Sequence, residues 1–87
     1  MTALRQPEAV VFGARLREIR EERGETQRSL ADAAGFSQTF IANMESGLKV
    51  PSLTTLLRLA VALECKVVEL VDVFSDRDIR KLIPKRG

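Results

Sequence analysis

The chain has 87 residues, enough for one domain, because domains usually span about 100 to 200 residues. With 45% hydrophobic and 30% charged residues, it has the composition of a globular protein, and no apolar run approaches the roughly 18 residues of a transmembrane helix. It has no histidine and a single cysteine, Cys65, which argues against histidine-based catalysis, a thiolate zinc site and an internal disulfide. We therefore expect no enzymatic activity, no metal and no cofactor. Because the N-terminus lacks an apolar signal core, we expect a cytoplasmic location.

The net charge of +2 is unevenly distributed along the chain. The segment from Arg80 to Arg86 contains four basic residues and no acidic ones, so residues 1–79 carry 10 basic and 12 acidic side chains. The body of the protein is therefore not a general polycation. A polyanion could bind only through a local basic face or helix N-termini, or through the basic tail.

Helix signals start near the N-terminus. Pro7 suits the first position of a helix, and Phe12, Leu16 and Ile19 recur at helical spacing. Gly24 is expected to close this helix. No stretch alternates between apolar and polar residues, and tyrosine and tryptophan are absent, so strands are not predicted.

Two short helices are predicted next. Thr26 is a suitable N-cap for a second helix over residues 27–34, and Ser37 for a third over residues 38–46. A glycine directly follows each helix, as is common at helix ends. Only three residues join the two helices, which predicts a sharp helix-turn-helix.

The C-terminal half continues the helical pattern. A fourth helix is expected after Pro51 and Ser52, a fifth over residues 67–74, and Ser75 could cap a last helical turn. We expect the domains to be residues 1–6 as a flexible N-terminus, 7–74 as the folded domain and 75–87 as a C-terminal extension for dimerisation with a basic tail.

The connection between the second and third helices has the chemistry of a tight turn. Gly35 can adopt the left-handed conformation that the turn needs, and Ala31 is small enough for the helices to approach closely. The large apolar side chains expected to lock the pair are Leu30, Ile41 and Met44. Such a pair presents its second helix on a convex edge that fits a DNA major groove.

These residues, with the sequence from about Phe12 to Phe74, resemble the helix-turn-helix domain of lambdoid phage repressors and Cro, also called the XRE type. The positions that match the family's spacing are Gln27, Ala31, Gly35 and Ile41. The resemblance implies an all-α, compact five-helix domain with the helix-turn-helix in helices 2 and 3, plus the short C-terminal extension. The sequence is similar to those of stand-alone bacterial regulators such as restriction–modification controller proteins. The alternative is an unrelated helical bundle.

The resemblance also implies roles on DNA. Gln38, Thr39 and Asn43 would contact base edges, since a glutamine amide can pair bidentately with adenine; the alternative is that they form only exposed polar surface. Contacts to the phosphate backbone are expected from Gln27, Arg28, Ser37, Phe40, Ser46 and Lys49. Gln27 could instead simply favour the start of its helix, and Phe40 could fold down onto the domain.

A carboxylate at Glu45, on the third helix, would repel phosphates. The resemblance implies that Glu45 turns inward and forms a structural ion pair with Arg20, which would fix the angle of the third helix; the alternative is a direct role on DNA. Three positions depart from the family. Glu25 stands at a usually apolar position, Glu64 at one that is often glycine, and Lys66 at a usual capping position. Cys65 is expected to be a buried thiol, the alternative being a redox switch.

The predicted fifth helix is apolar over about 220° of its circumference, more than the 100° or so that packing on one core requires. A second copy of the chain is expected to cover the apolar surface that the core leaves exposed, and the resemblance places the dimer interface here. The expected interface residues are Val68, Val71, Val73, Phe74, Ile79 and Leu82. Alternatively, this apolar surface is covered within one chain by Ile79, Leu82 and Ile83.

These features predict a sequence-specific regulator of transcription, a repressor or autoregulator that binds a palindromic operator in double-stranded DNA as a homodimer. It would be bacterial or phage-encoded and associated with the nucleoid. Controller proteins, Cro-like repressors and antitoxins all fit. The competing hypothesis is a protein-interaction module with a protein antagonist or toxin as partner. The basic tail would add sequence-independent affinity for DNA or serve only as a solubilising end.

Overall fold

A computed structural model describes residues 5–86, and in this range the chain is entirely helical. The predicted all-α fold is thereby confirmed. The expected flexible N-terminus falls largely on residues 1–4, which lie outside the described range. The helices are α1 (Pro7–Glu22), α2 (Gln27–Ala34), α3 (Gln38–Glu45), α4 (Leu53–Leu63), α5 (Val67–Val71) and α6 (Asp76–Leu82).

The first five helices enclose one hydrophobic core. α1 packs against both α3 and α5, while α2 packs against α3 and α4. The largest side chains with almost no exposed surface are Leu16, Leu30, Ile41, Met44, Leu59, Leu63 and Leu70. α4 also packs against α5, so α1 and α4 both connect α5 to the pair formed by α2 and α3.

Serine and threonine N-caps set the starts of four helices. The side chains of Thr26, Ser37, Ser52 and Ser75 each accept a hydrogen bond from the backbone N–H three residues later. This satisfies N–H groups that have no partner inside the helix. The capping pattern explains why the starts of α2 and α3 agree with the sequence-based prediction.

The end of α4 shows backbone strain. Glu64 ends this helix in the left-handed conformation, with φ of 52°. It is the one residue other than glycine with positive φ among residues 5–86. A side chain with a Cβ is disfavoured there, at the position where the resemblance leads us to expect glycine.

The predicted fifth helix over residues 67–74 is too long. α5 ends at Val71, and the chain then turns before Ser75 takes up the extended conformation of an N-cap for α6. The sequence of this segment is rich in β-branched valines, which are weak helix formers. Val73 and Phe74 therefore lie after the helix, and their directions do not follow its 100° repeat.

α6 lies at the edge of the fold. It has acidic residues in its first turn and Arg80 and Lys81 in its last, which complement the helix dipole. It has no buried residue. None of the helices in the described range is both long and apolar enough to cross a membrane.

Candidate nucleic-acid interface

The helix-turn-helix is built by local hydrogen bonds on both sides of its turn. At the start of α2, Thr26 Oγ1 accepts from Ser29 N at 3.0 Å, and Ser29 Oγ accepts from Thr26 N at 2.9 Å. Gly35 ends α2 with φ of 77°, and Ser37 Oγ accepts from Phe40 N at 3.1 Å to start α3. The turn therefore has the three-residue length and left-handed glycine that the sequence predicts.

α3 has a buried side and an exposed side. Ile41 and Met44 are fully buried, and Ala31 of α2 is buried where the two helices meet. Gln38 and Thr39 are exposed, and Asn43, one turn further on, is half-buried. The three candidate base-contacting residues thus lie on the part of α3 that does not form the core.

Arg20 and Glu45 join α1 to the last turn of α3. Arg20 Nε donates to Glu45 Oε2 at 2.6 Å, and Nη2 donates to Oε1 at 3.0 Å. The Glu45 side chain is only 4% exposed and that of Arg20 only 11%. The hydrogen bonds to Glu45 raise the pKa of the Arg20 guanidinium above its ordinary value. The charge of Glu45 is thus neutralised inside the domain and does not face the solvent.

Two further groups complete this polar cluster. Arg20 Nη1 donates to the backbone oxygen of Glu25 at 2.8 Å, and Gln27 Nε2 donates to Glu45 Oε1 at 3.1 Å. Within residues 5–86 the buried side-chain nitrogen and oxygen atoms all have a hydrogen-bond partner. The cluster ties the start of α2 and the end of α3 to the same arginine of α1.

Gly13 allows α1 to lie almost in contact with the backbone of α3. A Cβ built on Gly13 would lie 2.3 Å from the carbonyl oxygen of Met44 and 2.7 Å from that of Glu45. Both distances are far below van der Waals contact. No role for this glycine is predicted from the sequence. The signal available there was a lone glycine inside an otherwise regular helical pattern.

The candidate phosphate-contacting residues differ in their surroundings. Arg28, Ser37 and Lys49 are exposed, as is Ser46, whose hydroxyl donates to the backbone oxygen of Asn43 at 3.1 Å. The amide of Gln27 is engaged with Glu45, as described above.

Phe40 is half-buried against the core. Its ring meets that of Phe36 edge to face, with centroids 5.0 Å apart and planes at 76°. Phe40 thus packs on the domain, and a contact with the DNA backbone along its exposed edge stays a prediction.

A sequence model of the helix-turn-helix domain family matches residues 11–73, most of the chain. The chain belongs to this family. An uncharacterized helix-turn-helix transcriptional regulator of Sinorhizobium fredii, y4dJ, is 39% identical over 61 residues, which are 70% of this chain and 79% of that protein.

Solved structures of this family are similar in fold. The restriction–modification controller protein C.AhdI from Aeromonas hydrophila is 39% identical, with a TM-score of 0.70 over 71% of this chain and 94% of that one. The biofilm master regulator SinR, solved in complex with DNA, is 29% identical, with a TM-score of 0.67 over 70% and 98%. The resemblance to lambda-repressor-like domains and to controller proteins is confirmed. The chain is a member of a family of DNA-binding transcription regulators.

A second surface of this helix-turn-helix protein lies at α5 and the segment after it. Val68 is 56% exposed, and Val73 and Ile79 are also exposed. Val71 and Phe74 are half-buried and pack against the core. Leu82 is half-buried as well. The six candidate dimer residues are thus divided between three exposed side chains (Val68, Val73 and Ile79) and three half-buried ones (Val71, Phe74 and Leu82).

Arg15 of α1 holds α5 in place. Its Nε donates to the backbone oxygen of Glu69 at 2.8 Å, and its Nη2 lies 3.3 Å from Asp72 Oδ1. A third contact joins it to Glu18 of its own helix. The exposed valines of α5 therefore belong to an element that is attached to α1 at its polar edge.

The corner between α4 and α5 contains the single cysteine. Cys65 is half-buried, and desolvation raises the pKa of its thiol above the ordinary value. A raised pKa keeps the thiol protonated at neutral pH, and it is the thiolate that reacts. Nowhere in residues 5–86 do three or more histidine, cysteine or acidic side chains lie close enough together to hold a metal ion.

Proposed function

We propose that the protein is a sequence-specific regulator that binds a palindromic operator in double-stranded DNA as a homodimer and acts as a repressor or autoregulator. The observation that carries this proposal is the pairing of two surfaces on one rigid domain. One is an exposed recognition helix held by a buried ion pair; the other is an exposed apolar face next to α5.

Base contacts are assigned to the exposed side of α3. Gln38 and Thr39 stand at its first turn, where a side chain reaches the floor of the major groove when the helix N-terminus enters it. The glutamine amide N–H can donate to adenine N7 while the amide oxygen accepts from the N6 amino group, and a threonine methyl can contact the thymine methyl group. Asn43 lies one turn further along and reaches a neighbouring base pair.

Contacts to the phosphate backbone surround this helix. Arg28 and Lys49 are exposed cations, one on α2 and one after α3, and such side chains supply the sequence-independent part of the affinity. Gln27 and Ser37 stand at the starts of α2 and α3, and Ser46 at the end of α3. The basic tail adds further non-specific affinity. Phe40, which packs on Phe36, contributes a sugar contact only along its exposed edge.

Dimerisation is assigned to the exposed face formed by Val68, Val73 and Ile79. A contiguous group of exposed apolar side chains marks an interaction site. A two-fold dimer would place two recognition helices about 34 Å apart, as two half-sites of a palindrome require. A protein antagonist or toxin is the other partner that this face could bind.

Selection of binding sequences from a random pool of double-stranded DNA tests the proposal. The expected result is a palindrome whose half-sites are separated by about one helical turn, 10 to 10.5 base pairs. Enrichment of a single asymmetric site, or of no site, would contradict the homodimer or the sequence specificity, respectively.

Two matched variants test the interface. Val68→Asp is expected to sediment as a monomer and to lose cooperative binding to the two half-sites, because a buried unpaired carboxylate opposes association. Val61→Asp is the control, since Val61 is 78% exposed on α4, outside the proposed face. A wild-type monomer at micromolar concentration with full operator affinity would refute the dimer.

A further inference from the structure

An arginine on α4 lies against the turn of the helix-turn-helix. The guanidinium carbon of Arg58 is 5.6 Å from the centroid of the Phe36 ring. One of its terminal nitrogens is 3.7 Å from the point where a Cβ on Gly35 would stand. The Arg58 side chain thus lies over the turn, in van der Waals range of Gly35 and of the Phe36 ring.

This cation has no carboxylate partner within the described part of the chain. The ion pairs found in residues 5–86 are formed by Arg15, Arg17 and Arg20, and none includes Arg58. The guanidinium group instead lies over the face of the Phe36 ring. A guanidinium within about 6 Å of a ring centroid is attracted to the ring's negative face.

Phe36 also contacts the recognition helix. Its ring meets the ring of Phe40 at a centroid distance of 5.0 Å, in an edge-to-face arrangement. Both rings also pack against the core. Phe40 lies in the first turn of α3, directly after Gln38 and Thr39. Arg58, Phe36 and Phe40 therefore form a continuous chain of contacts from α4 to the first turn of α3.

We infer that Arg58 is a positioning residue for DNA recognition, which acts through Phe36 and Phe40 to fix the first turn of α3. The inference rests on the proposed function, because it assigns base contacts to that turn. The buried Arg20–Glu45 pair holds the last turn of α3, at the opposite end of the helix. Contacts at both ends of this eight-residue helix restrict the angle at which its side chains are presented.

Arg58→Ala tests this role, with Arg17→Ala as the control that removes an exposed arginine elsewhere. The ratio of operator affinity to random-DNA affinity is expected to fall about two- to five-fold in Arg58→Ala, the size of one exposed cation–π contact. The slope of log K against log salt is expected to be unchanged. A slope reduced by about one, with equal losses on both DNAs, would show a phosphate contact and overturn the inference.

A second readout needs no DNA. In amide NMR spectra, Arg58→Ala is expected to shift the resonances of Gln38 and Phe40, whereas Arg17→Ala leaves them unchanged. Unshifted resonances in Arg58→Ala would overturn the positioning role even if the protein binds its operator as proposed. Failure of the wild-type protein to prefer any operator, with the shifts present, would instead refute the proposed function.

A double-mutant cycle tests the path through the ring. Phe36→Leu keeps an apolar side chain in the turn and removes the aromatic face, so it should lower the same affinity ratio. The double variant Arg58→Ala/Phe36→Leu is expected to lose little more than Phe36→Leu alone, because both changes remove one contact. Losses that simply add would show that Arg58 does not act through Phe36.

Discussion

Two arginines of α1, five residues apart, hold the two proposed functional surfaces in different ways. Arg20 forms a bidentate pair with Glu45 of α3, and both side chains are nearly inaccessible to solvent. Arg15 reaches α5 through a backbone carbonyl and through Asp72, whose side chain is 49% exposed. The first contact lies inside the domain and the second at its surface.

The difference matches what each surface has to do. The recognition helix must present side chains at a fixed angle, and a buried pair with two parallel hydrogen bonds supplies directional restraint. α5 is a single turn of helix with exposed valines, and a second subunit can complete its packing. The α3 side of the domain is therefore held by contacts within the chain, whereas we propose that a second subunit completes the packing of the α5 side.

The largest expected effect comes from removing one partner of the buried pair. Arg20→Ala leaves Glu45 buried without its partner, which should lower the free energy of unfolding by about 3 kcal/mol. Glu45→Ala should have a similar effect, and the double variant should be less destabilised than the sum of the two. Chemical denaturation measures all three. Unchanged stability of Glu45→Ala, with altered DNA affinity alone, would show that Glu45 acts on DNA.

Gly13→Ala is expected to be the next most damaging change. Helix propensity by itself would make this substitution stabilising by about 1 kcal/mol. The added methyl group would, however, collide with the backbone of α3, so we expect a loss of about 2 kcal/mol. Thermal unfolding shows directly whether the substitution raises or lowers the stability of the protein. Ala14→Gly, at the exposed neighbouring position, is the control, and a more stable Gly13→Ala protein would show that α1 and α3 do not touch as described.

Arg15→Ala should have a smaller effect on the fold. Its contacts are partly exposed and therefore weakened by solvent, so a loss of about 1 kcal/mol is expected. Dimerisation should weaken as well, because α5 loses its attachment to α1; sedimentation measures this. Arg17→Ala removes only an exposed pair with Glu21 at 3.7 Å and should change neither quantity. Equal effects of the two variants would show that the contacts of Arg15 with α5 contribute no more than an exposed ion pair.

The smallest effect is expected at the end of α4. Glu64→Gly relieves the left-handed strain and should raise the free energy of unfolding by about 0.5 kcal/mol, after the entropy cost of glycine. Glu64→Ala removes the same charge and keeps the strain, so it should bring no gain. Equal stabilisation by both variants would attribute the effect to charge instead of conformation.

Local chemistry in the sequence predicts much of this fold. Capping residues such as Thr26 and Ser37 fix where α2 and α3 begin, and these hydrogen bonds depend only on neighbouring residues. The family resemblance predicts the Arg20–Glu45 pair, because both residues lie in helices whose sequences match the family. The predicted length of α5 was wrong. Valines are weak helix formers, but where the helix ends also depends on how Phe74 packs against a core built from distant residues.

Contacts between distant elements could not be predicted from the pattern. Arg15 has the spacing of a surface charge, and nothing in its neighbours indicates a bond to the backbone of Glu69. The approach of Gly13 to α3 and the position of Arg58 over Phe36 depend on the angles between helices. Helical periodicity gives the face of each helix that is buried and does not give those angles.

The most direct test of the central claim compares Gln38→Ala with Gln27→Ala on two DNAs, the selected operator and random sequence, at one salt concentration. The account predicts that Gln38→Ala loses about 1–3 kcal/mol on the operator and little on random DNA, since it removes a base contact. Gln27→Ala should weaken binding to both DNAs alike, since we propose that the second N–H of its amide, beyond the one that bonds Glu45, contacts a phosphate. Equal losses of Gln38→Ala on operator and random DNA would contradict the claim that the first turn of α3 contacts bases.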